Sequence, residues 1–134
     1  MIRLDQNTFA SGQIAPADVA KAAEAGIRTI VNNRPDGEEP GQPTSAEIEA
    51  AAKAAGLDYR HIPVAGGFSQ AQVEAMAEAL ETGPALAFCR SGTRSTYLWA
   101  LARARQGEAA DAILRAAAEA GFDLRPILPY LQAR

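Results

Sequence analysis

Residues 85–95 read ALAFCRSGTRS, four apolar residues followed at once by small, hydroxyl-bearing and cationic ones. The apolar part follows Gly83-Pro84 and is a short run of the kind that a buried parallel strand shows. We therefore predict a strand near 85–88, then a tight turn, then a helix near 94–106.

Helix boundaries are signalled along the rest of the chain. Three glycines follow alanine-rich stretches and suit the left-handed conformation that ends a helix: Gly26, Gly56 and Gly121. Pro16 suits the first position of a helix. Two residue pairs have the spacing of a capping box: Thr44 with Glu47, and Ser69 with Gln72.

These signals predict alternating strands and helices. The strands are expected near 8–13, 27–33, 58–64 and 85–88. The helices are expected near 16–25, 44–55, 69–81, 94–106, 108–120 and 123–133. Such alternation predicts one α/β domain over residues 1–134, with a mainly parallel sheet and helices on both faces. Ligands of such sheets bind where strands end and helices begin.

Composition excludes several classes of protein. The chain has 134 residues, 48% of them apolar and 22% charged, which is ordinary for a globular domain. A net charge of −3 argues against a nucleic-acid or membrane surface. The N-terminus lacks an apolar stretch like a signal peptide, and no apolar run is long enough to span a bilayer. We predict a cytoplasmic protein.

One cysteine, Cys89, and one histidine, His61, limit the chemistry of the chain. An intramolecular disulfide, a dithiol redox pair and a Cys/His zinc cluster are all excluded. We predict neither a metal nor a cofactor. His61 is expected to be structural, because nothing spaced for a catalytic triad accompanies it.

The turn that begins at Cys89 predicts an anion site with a nucleophile at its base. Free backbone N–H groups and the positive end of a helix dipole favour the thiolate. Gly92 lets the backbone curl so that these amides converge, and Arg94 offers a planar fork to an oxyanion. The remaining members of the expected cradle are Arg90, Ser91 and Thr93. The alternative is a small buried hydrophobic cysteine, but the arginines and hydroxyls around Cys89 favour the functional interpretation.

A long polar loop, 34–43, follows the strand predicted near 27–33. Loops of this length in compact domains are often functional. Arg34 is expected at the same sheet edge as Cys89, where it could add charge for an anionic substrate. The alternative is an ion pair within the loop, to Asp36 or Glu38.

Four segments together resemble the bacterial beta-lactamase-hydrolase-like, phosphatase-like domain family: SGQI at 11–14, VNNRPDGE at 31–38, IPV at 62–64 and CRSGTRS at 89–95. The resemblance covers about residues 2 to 115. It implies a fold like that of dual-specificity phosphatases, with Cys89 as the nucleophile. Ser95 would then ease departure of the thiolate. The family also occurs fused to metallo-beta-lactamase-like sulfur dioxygenases.

The loop departs from the phosphatase pattern. Arg94 stands five positions after Cys89, where phosphatases have six and rhodanese sulfurtransferases often five, and Phe88 replaces the phosphatase histidine. A phosphatase also needs a general acid, usually an Asp after the preceding strand, but residues 64–68 contain no carboxylate. The remaining candidate acids lie in the loop 34–43: Asp36, Glu38 and Glu39. Their alternative interpretation is as solvated charges.

Three hypotheses follow. The leading one is a cysteine-dependent phosphatase-like hydrolase. The second is a rhodanese-like sulfurtransferase that works through a Cys89 persulfide and needs no acid. The third is an anion-binding module without turnover. Under all three the partner is a small anionic, phosphorylated or persulfidated molecule.

Overall fold

The computed structural model describes residues 1–132 as a five-stranded sheet with helices on both faces. The strands are β1 (Ile2–Asp5), β2 (Thr8–Ser11), β3 (Thr29–Asn32), β4 (Asp58–His61) and β5 (Ala85–Phe88). The helices are α1 (Pro16–Glu24), α2 (Ser45–Ala54), α3 (Gln70–Leu80), α4 (Thr93–Arg105), α5 (Ala110–Glu119) and α6 (Leu128–Gln132), with a 3₁₀ turn at Arg125–Ile127.

The strand order is β1-β2-β5-β3-β4. β1 runs antiparallel to β2, and all other neighbouring strands are parallel. The predicted α/β fold with a mainly parallel sheet is therefore confirmed. Every helix within residues 1–132 is too short or too polar to cross a bilayer.

The structure corrects several predicted elements. The sequence did not predict β1. Three of the predicted strands are longer than the observed ones. The strand predicted near 8–13 ends two residues after β2, and the one near 58–64 ends three residues after β4. The strand predicted near 27–33 begins two residues before β3 and ends one residue after it. The helix predicted near 123–133 is a 3₁₀ turn followed by α6, because Pro126 and Pro129 lack the N–H that a continuous helix needs. Residue 133 of that prediction lies outside the described part of the chain.

The sheet buries both of its faces. Along β5, Ala87 packs with the cluster beneath α3, α4 and α5, whereas Leu86 and Phe88 pack with the cluster beneath α1 and α2. This alternation follows from the two-residue period of a strand. Both capping boxes form as predicted, with Thr44 Oγ1 accepting from Glu47 N–H and Ser69 Oγ from Gln72 N–H.

The carboxyl ends of β2, β5 and β3 meet at one edge of the sheet. Phe88, the last residue of β5, is level with Ser11 of β2 and Asn32 of β3. Backbone hydrogen bonds continue past the strands, from Cys89 N–H to Ser11 O at 3.3 Å and from Asn33 N–H to Phe88 O at 2.8 Å. Three loops are thereby brought together at this edge.

Candidate active site

Cys89 lies at the end of β5 and is fully buried. Its Sγ accepts a hydrogen bond from Gly92 N–H at 3.1 Å. Gly92 has φ +93°, a left-handed conformation that glycine adopts without strain, and it forms the N-cap of α4. A Cβ at this position would meet Ser11 O at 3.4 Å and Phe122 Cζ at 3.5 Å. The turn that curls the amides around Sγ therefore depends on glycine.

The surroundings of Sγ favour the thiolate. Burial by itself raises the pKa of the Cys89 thiol. Hydrogen bonds from the backbone N–H groups of Ser95, Ser91 and Gly92 outweigh burial and hold the pKa below its usual value. The strand-to-helix turn thus supplies the environment of a reactive cysteine.

Asn33 orients the Ser95 hydroxyl. Ser95 Oγ donates to Asn33 Oδ1 at 2.8 Å, and Asn33 Nδ2 donates to Ile62 O at 3.0 Å. Because the Asn33 amide nitrogen is used by Ile62, its oxygen faces Ser95. Sequence reasoning did not single out Asn33. Its place at the carboxyl end of β3, beside Arg34, was the available signal.

Arg94 is clamped by a carboxylate from the loop 34–43. Its Nη1 and Nη2 donate to the two carboxylate oxygens of Glu38, both at 2.8 Å, and Nη1 also donates to Val64 O at 2.8 Å. The Arg94 hydrogen bond holds the pKa of Glu38 at about 2, and Glu38 in turn raises the pKa of Arg94. The Arg94 guanidinium, which was expected to bind an oxyanion of a ligand, therefore already binds the carboxylate of Glu38.

Arg34 is buried beside Arg94. It is 3% exposed; its Nε donates to Glu38 Oε1 at 2.8 Å and its Nη1 donates to Gln13 Oε1 at 2.9 Å. The ion pair with Glu38 is the alternative that the sequence left open, and a role in substrate binding remains a prediction. Gln13 was not assigned a role from sequence, although it lies in the SGQI segment at the end of β2.

Glu39 bridges the guanidinium groups of Arg34 and Arg90. Its Oε1 lies 2.7 Å from Nε of Arg90 and 3.2 Å from Nη2 of Arg34. The contact with Arg34 is at ion-pair distance but is not aligned as a hydrogen bond. The structure therefore brings three arginines and two glutamates together beside Cys89.

The other candidate residues hydrogen-bond to groups other than the side chains of this cluster. Asp36 Oδ1 accepts from Ser45 N–H at 2.7 Å, so this carboxylate is held at the start of α2. Ser91 Oγ donates to Thr93 Oγ1 at 3.1 Å. His61 is exposed, and its Nε2 lies 3.0 Å from Arg34 O.

No metal centre is evident among residues 1–132, where no three His, Cys, Asp or Glu side chains come together as ligands would. The described carboxylates nearest the arginines, Glu38 and Glu39, are both ion-paired. A groove of about 590 Å³ between α3, α4 and α6 contains Phe68 but none of the residues around Cys89.

Comparisons with known proteins identify the family of this chain. Residues 2–106 match the family described as beta-lactamase hydrolase-like protein, phosphatase-like domain. A beta-lactamase hydrolase-like protein of Agrobacterium fabrum (strain C58) is 41% identical over 111 residues, which are 79% of this chain and 25% of that protein. The chain thus spans about a quarter to a third of the length of the curated relatives it matches.

Solved structures have the same fold. A candidate phosphatase from Neisseria meningitidis Z2491 is 36% identical, with a TM-score of 0.82 over 98% of this chain and 96% of that one. PTPMT1 has a TM-score of 0.76 over 98% of this chain and 91% of its own, and at 14% identity it shows the fold alone. The family expected from the four sequence segments is therefore confirmed: the chain belongs to the beta-lactamase hydrolase-like protein, phosphatase-like domain family.

Proposed function

We propose that this domain is a cysteine-dependent hydrolase of phosphate monoesters, with Cys89 as its nucleophile. The observation that carries the proposal is the Cys89 Sγ itself, which accepts the Gly92 N–H at the start of α4 and lies in the field of Arg94. A tetrahedral dianion is the ligand that such amides and a guanidinium fork bind best.

The reaction proceeds in two displacements. The Sγ thiolate attacks phosphorus, an S–P bond forms, and the P–O bond to the leaving group breaks, with its electron pair going to the leaving oxygen. Water then attacks phosphorus and releases orthophosphate and the thiolate. Arg94 offsets the negative charge on the equatorial oxygens in both steps. Ser95 stabilises the departing thiolate, which is the role that the family resemblance implies for it.

Binding requires Arg94 to exchange one oxyanion for another. Its fork is occupied by Glu38 in this structure, so an incoming phosphate must displace that carboxylate. While Glu38 binds Arg94 its pKa is held at about 2, so it meets the substrate as a carboxylate without a proton, and residues 64–68, where a phosphatase acid is expected, contain no carboxylate. The substrates that fit are esters whose leaving groups depart without protonation, such as activated aryl phosphates.

The same observation favours a second candidate, sulfur transfer. In this reaction the Sγ thiolate attacks the outer sulfur of thiosulfate, an S–S bond forms, and sulfite leaves with the electron pair of the broken bond. A thiophilic acceptor such as cyanide then takes the outer sulfur and restores the thiolate. No step needs a general acid, which matches the ionised Glu38 and the short loop from Cys89 to Arg94.

Parallel assays with an aryl phosphate and with thiosulfate plus cyanide test the proposal. We expect aryl phosphate turnover that is lost in Cys89→Ser and kept in Ser69→Thr, a conservative change at the N-cap of α3. Thiocyanate production without phosphate release would show that the domain is a sulfurtransferase and not a phosphate ester hydrolase. Inactivity toward both substrates, with orthophosphate binding that survives Cys89→Ser, would indicate an anion-binding module.

A further inference from the structure

The arginine cluster beside Cys89 holds two carboxylates in two separate places. Glu38 Oε1 is shared between Arg94 Nη2 and Arg34 Nε, each at 2.8 Å. Glu39 Oε1 is shared between Arg90 Nε at 2.7 Å and Arg34 Nη2 at 3.2 Å. Arg34 thus lies between two anion positions, of which only the first touches the catalytic guanidinium Arg94.

The second position is incompletely satisfied. Arg34 Nη2 is the one buried side-chain nitrogen or oxygen between residues 1 and 132 that makes no hydrogen bond. A buried guanidinium N–H without an acceptor is costly, because it has lost its water and gained nothing equivalent. An oxyanion placed between Arg34 and Arg90 with better alignment than Glu39 would supply the missing acceptor.

The segment that carries both carboxylates is exposed and lies outside the packed core. Gly37 and Gly41 flank it with φ of +75° and +79°, and nothing lies within 4 Å of where their Cβ atoms would be. Glu39 itself is 46% exposed at its side chain. Replacement of Glu39 by a ligand therefore requires no change in the packed core.

We propose that Arg34 and Arg90 form a second anion subsite next to the Cys89 cradle, and that the natural ligand is a small compound with two neighbouring anionic groups. The first group lies over Cys89 and Arg94, and that part rests on the proposed function. The second takes the place of the Glu39 carboxylate. Because Arg34 is 3% exposed, only a compact anion that penetrates as deeply as this carboxylate reaches its Nη2.

Binding to the Cys89→Ser protein tests the subsite without turnover. Titration calorimetry would compare inorganic orthophosphate, with one phosphoryl group, and inorganic pyrophosphate, with two, at matched ionic strength. We expect pyrophosphate to bind about 10- to 100-fold more tightly, since charge-assisted hydrogen bonds contribute on this scale. Adding Arg90→Gln should remove most of that advantage and should weaken orthophosphate binding by much less, because the Arg90 guanidinium pairs with Glu39 and not with Glu38 in the Arg94 fork.

Two further variants separate the subsite from a general effect of charge. Arg125→Gln removes another exposed arginine, one that pairs with Asp123, and it should leave the pyrophosphate advantage intact. Glu39→Gln removes the internal competitor, so pyrophosphate should bind several-fold more tightly while orthophosphate does not.

The outcomes distinguish the subsite from the cradle. Orthophosphate and pyrophosphate that bind equally well, or an advantage lost equally in the Arg90 and Arg125 variants, would overturn the second subsite and leave the proposed function standing. Failure of both anions to bind would contradict the cradle and the subsite together.

Discussion

At the scale of single residues, the pKa of Cys89 is set by donors that outweigh burial. Because the amides of Ser95 and Ser91 lower this pKa, and the Ser95 hydroxyl can turn its one proton from Asn33 to the sulfur, the thiolate should persist at neutral pH. We expect the rate of alkylation by iodoacetamide to have its pH midpoint below the ~8.5 of a free cysteine. Ser95→Ala should move the midpoint upward.

The matched control for that measurement is Ser91→Ala. The Ser91 hydroxyl donates to Thr93 rather than to the sulfur, so its removal should leave the alkylation midpoint in place. A wild-type midpoint at or above that of a free thiol would remove the chemical basis for nucleophilic catalysis.

Arg94 acts through the shape of its side chain as well as through its charge. Both of its terminal nitrogens bind one carboxylate at 2.8 Å, the geometry in which a planar fork holds an oxyanion. Arg94→Lys keeps the charge but not the fork, so we expect kcat/KM to fall by about 10²-fold or more. Steady-state kinetics with the substrate that the wild-type protein turns over would measure the loss, and near-wild-type kinetics would show that Arg94 does not clamp the substrate.

The sequence predicted the cradle residues but not their partners. Cys89, Gly92 and Arg94 lie within one short segment, so a strand-to-helix turn brings them together by local geometry alone. Glu38 reaches Arg94 across 56 positions, and no local pattern encodes that contact. The Asn33 contact with Ser95 was missed for the same reason.

At the scale of elements, the loop 34–43 is fastened by charge. Gln42 Oε1 accepts from the N–H groups of Glu38 and Glu39 at 3.1 and 3.3 Å, and the Glu38 carboxylate binds Arg94. Because the folded-state pKa of Glu38 is about 2 against an ordinary 4.5, its stabilising contribution is complete above 4.5 and is lost as the pH falls through about 2.

Hydrogen exchange of the loop amides tests that dependence. After correction for intrinsic rates, protection of residues 36–42 should be constant from about pH 7 to about pH 5 and should fall as the pH approaches 2. In Glu38→Gln the dependence should flatten. Protection that already falls between about pH 7 and about pH 5 would contradict the ion pairing of Glu38.

Helix ends were predicted more closely than strand ends. Thr44 and Ser69 specify helix starts through hydrogen bonds to residues three positions away, and both bonds form. Strand ends depend instead on partners far along the chain. β1 does alternate apolar and polar residues, with Ile2 and Leu4 on one face, but its four residues are the shortest run in which such a pattern indicates a strand.

At the scale of the whole molecule, a polar network fastens β1 to α4. Asp5 Oδ2 accepts from Trp99 Nε1 at 2.7 Å and from Arg103 Nε at 2.9 Å, across more than ninety positions of sequence. Asp5→Ala leaves both donors without their acceptor, so we expect the free energy of unfolding in urea to fall by about 1–3 kcal/mol. The reactivity of Cys89 in the folded protein should be retained.

Glu74→Ala is the control for the Asp5 change. It breaks an ion pair with Arg105 whose two side chains are about half exposed, and such pairs contribute roughly 0–1 kcal/mol. An Asp5 variant no less stable than the Glu74 variant would show that the network does not hold β1 to the domain.

The fold and the chemistry of this molecule are separate conclusions. The sheet and its helices are shared with PTPMT1 at 14% identity, so the fold alone does not assign the reaction. The reaction that we propose rests on the placement of Cys89 and Arg94. A thiolate that forms a covalent intermediate is common to phosphate and sulfur chemistry.

Intact-protein mass spectrometry of the quenched reaction tests that thiolate most directly. We expect a short exposure to an aryl phosphate to add the mass of one phosphoryl group, mapped to Cys89 by peptide fragmentation. The adduct should be absent from Cys89→Ser and present in Ser91→Ala. One added sulfur atom on Cys89 after exposure to thiosulfate would keep the nucleophile and change the reaction to sulfur transfer. A wild-type protein that turns over either substrate with no adduct on Cys89 would contradict the central claim.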